Sequence, residues 1–251
     1  MDVDAYLARI GASRTATLAE LHEAHVRNVP FEDYDIHLRV PLSLDVDDLY
    51  AKIVQRRRGG FCYELNGLFA ALLRELGHEV TLVSAFTVGA DGVRGADFDH
   101  LRLLVGTPSG RVLVDVGNGS GQLRPVPLIP GEHGDVQVHR DGELWWTAER
   151  HSDGRWERGW SWTAQPRELV DFTGRCHYQQ HDPDSHFVAR RLASLPTPGG
   201  RISLLNGAFA EVDDAGRTER TLDAEQERAV LAQRFGIVVA GTWEEPAPLP
   251  S

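Results

Sequence analysis

The stretch that decides how this chain folds is Arg56-Arg57-Arg58-Gly59-Gly60-Phe61-Cys62-Tyr63-Glu64, in which three arginines and two glycines lead to a cysteine. Apolar residues then recur at helical spacing over four turns, and Gly77 follows them as a stop signal. The pattern predicts a helix that begins at or directly after Cys62. Unpaired amides and the helix dipole favour negative charge there, so we expect Cys62 to be reactive, with a depressed pKa. A small buried side chain without chemistry is the alternative for this position taken alone.

Length, composition and charge are those of an ordinary globular protein of 251 residues, 41% of them hydrophobic and 25% charged. The net charge of −11 argues against general binding to nucleic acid or to an anionic membrane, although the arginines at 56–58 leave room for a phosphate. The two cysteines, Cys62 and Cys176, do not make a disulfide framework and suit a reducing compartment. An acidic start and the lack of a long apolar run lead us to expect a cytoplasmic protein.

The pattern of apolar and polar residues changes twice along the chain. The first eighty residues carry helical patterns, among them a capping box over Thr17-Leu18-Ala19-Glu20 and a helix from about Asp45. Alternating apolar residues and Asp-Gly or Ser-Gly turns follow, which predict an antiparallel barrel or sandwich with its tryptophans in core and wall. Beyond Asp182-Pro183 the pattern is mixed, with a strand-like run over 201–212 and a helix over 222–235 that Gly236 ends.

A nucleophilic thiolate needs a base, and the base needs a group that orients it. Asp99-His100-Leu101 begins one predicted strand, and Val114-Asp115-Val116-Gly117-Asn118-Gly119 ends the next. Both polar residues are opposite in phase to the apolar set of their strand, so we expect both to leave the barrel core on one face of the hairpin. An aspartate between valines is unfavourable unless it is paired. The sequence thus predicts Cys62, His100 and Asp115 as nucleophile, base and orienting carboxylate.

The sequence resembles the arylamine N-acetyltransferase family over most of its length. The matching segments are Tyr6-Leu7-Ala8-Arg9-Ile10-Gly11, Val29-Pro30-Phe31-Glu32, Arg57 to Asn66, Val114-Asp115-Val116-Gly117, Pro183-Asp184-Ser185-His186-Phe187 and Arg234-Phe235-Gly236. The resemblance implies an α+β fold of papain-like cysteine acyltransferase architecture. Its parts would be an N-terminal helical bundle over 1–80, a central antiparallel β-barrel over 81–182 and a C-terminal α/β lid over 183–251. The Cys-His-Asp triad of the family falls on Cys62, His100 and Asp115.

The chemistry that the resemblance implies is ping-pong acyl transfer through an acyl-cysteine. The co-substrate is acetyl-CoA or another acyl thioester, the acceptor is a small-molecule amine, and no metal, nucleic acid or membrane takes part. The implied substrate-binding residues are Phe31, Phe61, Asn118 and Gly119. The last two belong to a glycine-rich run over 117–121, which we expect to line the cleft. The motif also implies a structural ion pair between Glu32 and Arg58.

Two positions depart from the pattern of the family that the sequence resembles. Asn118 stands where the family usually has a phenylalanine, and Asp33-Tyr34 stands where it has Asn-Leu. Both changes concern the arylamine acceptor, and three alternatives to arylamine acetylation stay open. One is an amide synthase of secondary metabolism, which forms an amide or macrolactam from a carrier-bound polyketide thioester. The others are a papain-like cysteine hydrolase and a scaffold that only binds its ligand.

Overall fold

The chain begins with a group of helices whose ends follow their capping residues. The computed structural model describes residues 1–119, 122–151 and 154–243. Thr17 caps the second helix in the predicted capping box with Glu20, and Gly11 ends the first with a left-handed φ of 73°. The elements of this part are α1 (Val3–Ile10), α2 (Leu18–Asn28), the strand β1 (Phe31–Glu32), α3 (Tyr34–His37), α4 (Val46–Tyr50), a π-helical turn (Ala51–Gln55) and α5 (Cys62–Glu75).

Helix α5 begins at Cys62, as predicted, and joins the helical part to the sheet that follows. Its residues 62–70 are all buried, which a helix shows when it is covered on every side. One face packs against α1 and α2, and another packs against the strand that begins at His100, within a single apolar core. The N-terminus of α5 therefore lies where the two parts meet.

Eight antiparallel strands form a nearly closed barrel after α5. They are β2 (Val80–Phe86), β3 (His100–Thr107), β4 (Gly110–Val114), β5 (Val126–Pro127), β6 (Gly131–His133), β7 (Val136–Asp141), β8 (Leu144–Arg150) and β9 (Trp156–Thr163). Their order in the sheet is β5-β4-β3-β2-β9-β8-β7-β6. Trp145 and Trp162 are buried in the barrel core, which confirms the predicted place of those two tryptophans.

Strand β3 is buried on both of its faces, and this overturns one expectation. The apolar residues of one parity, which begin with Leu101, pack into the core shared with α5. Leu104 and Leu113, of the other parity, pack into the barrel core. His100 and Asp115 have the parity of Leu104 and Leu113, so the expectation that they leave the barrel core is wrong. Because α5 covers the outer face of the barrel here, apolar character does not distinguish the two faces.

The last part of the chain forms a second sheet, in the order β1-β10-β11-β12-β13. Its strands are β10 (Leu192–Thr197), β11 (Gly200–Leu205), β12 (Ala208–Asp213) and β13 (Gly216–Thr221), and α8 (Ala224–Val230) with a π-helical turn (Leu231–Phe235) follows them. The strand-like run over 201–212 is a hairpin, because Asn206 and Gly207 both take left-handed φ values, 48° and 81°. Asp223 caps α8 and Gly236 ends the turn, as predicted.

Helices connect the two sheets, namely a 3-10 turn (Leu169–Phe172), α6 (Thr173–His181) and α7 (His186–Ala189). The 3-10 turn and α6 fall in the predicted barrel segment 81–182, and α7 falls in the predicted lid. Phe172 and Cys176 from this region pack into the core of the helical part. The sequence of α6 is too polar to show an apolar stripe, so its pattern does not predict a helix. Among the described residues, none of the helices combines the length and apolar composition that crossing a bilayer requires.

Candidate active site

Cys62 lies at the wall of a cavity of about 620 Å³, with only 3% of its surface exposed. The preceding residue, Phe61, is extended, and its amide donates to the Glu64 carboxylate at 3.1 Å, which sets where α5 begins. The loop after β4 passes very close to this helix terminus. A Cβ atom at Gly117 would lie 2.8 Å from Cα of Cys62, so only glycine permits that approach.

His100 and Asp115 are joined by a short hydrogen bond between two buried side chains. Nε2 of His100 lies 2.7 Å from Oδ2 of Asp115. A carboxylate can only accept, so Nε2 carries the proton of this bond and Nδ1 is the ring nitrogen left for other chemistry. The imidazole also stacks on Trp160, with ring centroids 4.6 Å apart and planes at 19°. The ring is therefore held both at its edge and on its face, in the wall of the cavity that Cys62 also lines.

Two further side chains hold Asp115, and neither is among the site residues predicted from the sequence. Nδ2 of Asn66 donates to Oδ1 of Asp115 at 2.9 Å and to a carbonyl oxygen of β3 at 2.7 Å. Nε of Arg102 donates at 2.9 Å to Oδ2, the oxygen that also accepts from His100. Their spacing in the sequence could have indicated both residues. Asn66 is one helical turn after Cys62 and so lies on the same helix face, and Arg102 is two residues after His100 and so lies on the same face of the strand.

Asp115 is held in its ionised form. Burial raises the pKa of Asp115, but the charge and hydrogen bond of His100, the charge of Arg102 and the hydrogen bond from Asn66 lower it by more. The net effect is a pKa well below the usual range of a carboxyl group. An ionised carboxylate at this place can hold the imidazole in one tautomer and stabilise its charged form.

The resting thiol of Cys62 does not have the depressed pKa that the helix terminus led us to expect. Burial raises the pKa of Cys62 most, and the negative charge of Asp115 raises it further. A backbone hydrogen bond from Leu101 acts in the opposite direction but is smaller. The side chain at this helix terminus has lost its hydration, and burial of this kind disfavours the charged thiolate. Ionisation of this thiol therefore requires a proton acceptor beside it.

Three of the four residues expected to bind substrate line the cavity, namely Phe31, Asn118 and Gly119. Phe61 is fully buried and is not in the cavity wall, so its assignment as a direct contact is corrected. It packs edge-on against Phe187, which does line the cavity, with ring centroids 5.2 Å apart. Phe61 supports the wall from behind because the residue before α5 points into the core.

The polar part of this wall is tied to two other elements. Nδ2 of Asn118 donates to the Glu149 carboxylate of β8 at 2.9 Å. Nη1 of Arg201, from β11, donates to the carbonyl oxygen of Gly119 at 3.0 Å. The remainder of the glycine-rich run predicted over 117–121, Ser120 and Gly121, lies outside the described residues.

Glu32 and Arg58, expected to form an ion pair, are in contact and buried. Nε and Nη2 of Arg58 each donate to a different oxygen of Glu32, both at 3.0 Å, and Nη1 lies 2.9 Å from Asp35. Lys52 extends the cluster, since its ammonium lies 2.8 Å from Asp35 and 2.7 Å from Glu64. Arg58 is thus engaged with carboxylates, and the phosphate site suggested for the arginine run does not include it.

The arrangement supplies a thiol, a histidine that can take up a proton and a carboxylate that orients the histidine. Nucleophilic acyl transfer requires these three functions in contact with a substrate cavity. The first amides of α5 have no acceptor within the helix, so they are available to an oxyanion that forms near Cys62. In the part of the chain that the structure describes, no group of three or more histidine, cysteine, aspartate or glutamate side chains is placed to hold a metal ion.

The model of the N-acetyltransferase family matches residues 15–243 of this chain. The chain belongs to the arylamine N-acetyltransferase family. An arylamine N-acetyltransferase of Mycolicibacterium smegmatis is 37% identical over 259 residues, which cover 94% of this chain and 92% of that relative. The pineal gland isozyme of Gallus gallus is 31% identical over 275 residues, which cover 95% of each chain.

Solved structures of the family have the same fold. The arylamine N-acetyltransferase of M. smegmatis superposes with a TM-score of 0.86 at 34% identity, over 94% of this chain and 92% of that one. The Mycobacterium marinum arylamine N-acetyltransferase in complex with CoA superposes with a TM-score of 0.85 at 29% identity, over 94% and 93% of the two chains. The α+β fold expected from the sequence is confirmed.

Proposed function

We propose that this chain moves an acyl group from a thioester donor to an amine, through an acyl-cysteine at Cys62. The proposed donor is acetyl-CoA, and the proposed acceptor is an arylamine or a hydrazine. The relatives named above are arylamine N-acetyltransferases, and one of the similar structures is a complex with CoA. The assignment to Cys62 is supported above all by its cavity, whose wall it shares with a buried His100 that Asp115 holds at Nε2.

In the first half of the reaction, the thiol proton of Cys62 passes to Nδ1 of His100, and the sulfur attacks the carbonyl carbon of the thioester. The bond between that carbon and the sulfur of CoA breaks, and His100 returns the proton to the leaving thiolate. Amides at the start of α5 stabilise the oxyanion. An acetyl group then remains on Cys62, and CoA leaves as a neutral thiol.

In the second half, the amine nitrogen attacks the carbonyl carbon of acetyl-Cys62. The bond from that carbon to Sγ breaks, and His100 takes the proton that the amine nitrogen loses. His100 then returns this proton to Sγ, which restores the resting thiol. Asp115 stabilises the imidazolium that forms in both halves, because it stays ionised and donates no proton itself.

The charges in the cavity support a donor that carries phosphate. Arg190 and Arg201 line the cavity of a chain whose net charge is −11. Guanidinium groups suit phosphate because their planar set of donors matches its oxygens. Asp99, the residue before His100, also lines the cavity and carries a negative charge. Arg175 offsets that charge, because its guanidinium lies 2.7 Å from the Asp99 carboxylate.

Intact-mass spectrometry tests the acyl-cysteine directly. Wild-type protein with acetyl-CoA and no acceptor is expected to gain one acetyl group, which an added amine removes. Cys62→Ser is expected to gain none. Cys176→Ala is the matched control and should still be labelled, because Cys176 is a buried residue of α6 in the core of the helical part. An acetyl adduct that persists in Cys62→Ser would contradict the proposed nucleophile.

The same adduct distinguishes the alternative reactions. If the adduct disappears in buffer alone as fast as with an amine, the chain is a cysteine hydrolase. If carrier-bound thioesters form it and acetyl-CoA does not, the chain is an amide synthase. A matrix of acyl thioesters against amines, read as labelling and discharge of Cys62, therefore identifies both substrates.

A further inference from the structure

Asp99 is the residue before His100, and three nitrogen atoms of α6 side chains hold one oxygen of its carboxylate. Nε and Nη2 of Arg175 donate to Oδ1 at 2.9 and 2.7 Å, and Nε2 of Gln179 donates to the same oxygen at 2.9 Å. Within the part of the chain that the structure describes, no group donates to the second oxygen, Oδ2. The Asp99 side chain is 20% exposed and lines the cavity that Cys62 also lines. Oδ2 is therefore left to accept a hydrogen bond from a molecule in the cavity.

The backbone directly before Asp99 is strained. Phe98 has a left-handed φ of 61°, which is rare for an aromatic residue and persists only where contacts enforce it. Its amide donates to the hydroxyl group of Ser84 at 2.8 Å, and its carbonyl oxygen accepts from the hydroxyl group of Tyr63 at 2.7 Å. Tyr63 follows Cys62 on α5, so the helix that carries the thiol also fixes the segment that carries Asp99. Strain of this kind, enforced beside a cavity, is typical of a functional position.

The same segment brings Asp99 close to the sulfur of Cys62. The main-chain amide of Leu101 donates to that sulfur. Asp99 is two residues earlier in the chain, so the Cα atoms of Asp99 and Leu101 are at most about 7 Å apart. An amine that reaches an acyl group on Cys62 therefore enters a space whose wall contains both His100 and Asp99.

The attacking amine has a hydrogen that suits this free oxygen. A primary amine or a hydrazine carries two hydrogens on the nitrogen that attacks, and His100 takes one of them as a proton in the second half of the proposed reaction. The other hydrogen stays on the nitrogen, which gains positive charge as its bond to the acyl carbon forms. A carboxylate oxygen that accepts this N–H fixes the direction of the lone pair and stabilises the charge of the transition state.

We propose that Oδ2 of Asp99 accepts a hydrogen bond from the attacking nitrogen, and that this contact selects primary amines and hydrazines over N-alkylated amines. The inference rests on the proposed function, in which an amine discharges acetyl-Cys62. Asp99 exchanges no proton in this step: the bond from nitrogen to the acyl carbon forms, the bond from that carbon to Sγ breaks, and the proton passes to His100. An N-methyl amine lacks the hydrogen that Oδ2 accepts, so it leaves the carboxylate oxygen unpaired.

The rates at which aniline and N-methylaniline discharge acetyl-Cys62 measure this selectivity. Their ratio within one protein cancels any effect that a substitution has on both acceptors alike. In Asp99→Asn, the three donors of α6 hold the amide oxygen in the place of Oδ1, so Nδ2, which can only donate, faces the cavity. The preference for aniline is expected to fall roughly 10-fold in this variant. Asp97→Asn is the matched control and should keep the wild-type ratio, because Asp97 is exposed and pairs with Arg94.

Arg175→Gln decides the matter if Asp99→Asn does not fold. It removes two of the three donors that hold Oδ1, so the carboxylate is no longer fixed and the preference for aniline should fall at least about 3-fold. A wild-type ratio in folded Asp99→Asn overturns the proposal, as does a wild-type ratio in Arg175→Gln when it is the variant that folds. An equal fall in Asp97→Asn overturns it too.

Binding of the same two amines, followed by NMR titration, does not depend on acyl transfer. A wild-type chain that forms no acetyl adduct refutes the proposed function, and the ratio of the two dissociation constants then decides the role of Asp99. A fall of that ratio by about 3-fold or more from Cys62→Ser to the double variant with Asp99→Asn supports the contact. An unchanged ratio overturns it.

Discussion

Replacing Arg58 by methionine is expected to lower the free energy of unfolding by about 3–5 kcal/mol, the usual cost of breaking one side of a buried ion pair. The change removes two hydrogen bonds to Glu32 at 3.0 Å and the contact with Asp35 at 2.9 Å. Glu32 is fully buried, and the amides of Tyr34 and Gly59 are the donors that it keeps. Two amides do not neutralise a carboxylate, so most of its desolvation cost remains uncompensated.

Thermal and urea unfolding measure this loss. For a chain of this size, each kcal/mol shifts the melting temperature by about 2–4 °C, so a fall of roughly 6–20 °C is expected. Arg56→Met is the control, since Arg56 is an exposed neighbour and its loss should cost less than about 0.5 kcal/mol. The double variant Glu32→Gln with Arg58→Met should lose less than the sum of the single losses, because no buried charge is left alone. If Arg58→Met unfolds at the same temperature as Arg56→Met, the pair does not stabilise the fold.

Three further outcomes are expected. Asn118→Phe should raise kcat/KM for plain arylamines roughly 10-fold or more, while acetylation of Cys62 by acetyl-CoA stays constant; slower acetylation would place Asn118 in the catalytic machinery instead. Gly117→Ala should slow that acetylation roughly 100-fold, because its methyl group would meet Cα of Cys62 at 2.8 Å, whereas Gly174→Ala, with open space around it, should not. Burial lowers the pKa of His22 to about 4, so the unfolded chain binds its proton first as the pH falls below 6.5. The contribution of His22 to the free energy of unfolding is complete above pH 6.5 and should fall by about 2 kcal/mol at pH 5. Urea unfolding at each pH measures this loss, and His22→Gln should make the free energy of unfolding depend less on pH.

Sequence patterns were sufficient to predict those elements whose physical cause lies between residues that are close in the chain. The helix at Cys62 follows from apolar spacing over four turns, and the ends of α1, α2 and α8 follow from caps that act within a few residues. The hairpin over 201–212 was misread as one strand although Asn206-Gly207 is a strong turn signal. Helix α6 had no such signal, because it is polar and packs through a few side chains such as Cys176.

Part of the candidate site could be predicted from the sequence in the same way. Cys62, His100 and Asp115 were chosen by residue type and position, and the structure brings them to one junction. Asn66 and Arg102 could have been added from their spacing to Cys62 and His100. No pattern could have indicated Trp160, which stacks on His100 from β9, because that contact joins residues sixty positions apart.

By itself, the sequence determined the helix start at the cysteine, the capped ends and the strand alternation, because these depend on interactions between residues close in the chain. Which face of β3 is the inside was decided only by the tertiary structure, since α5 covers the outer face with apolar contacts. The raised pKa of Cys62 was decided there as well, because burial is a property of the whole fold. Arg102 reaches Asp115 for the same kind of reason, as strand register joins two residues that the chain alone keeps thirteen positions apart.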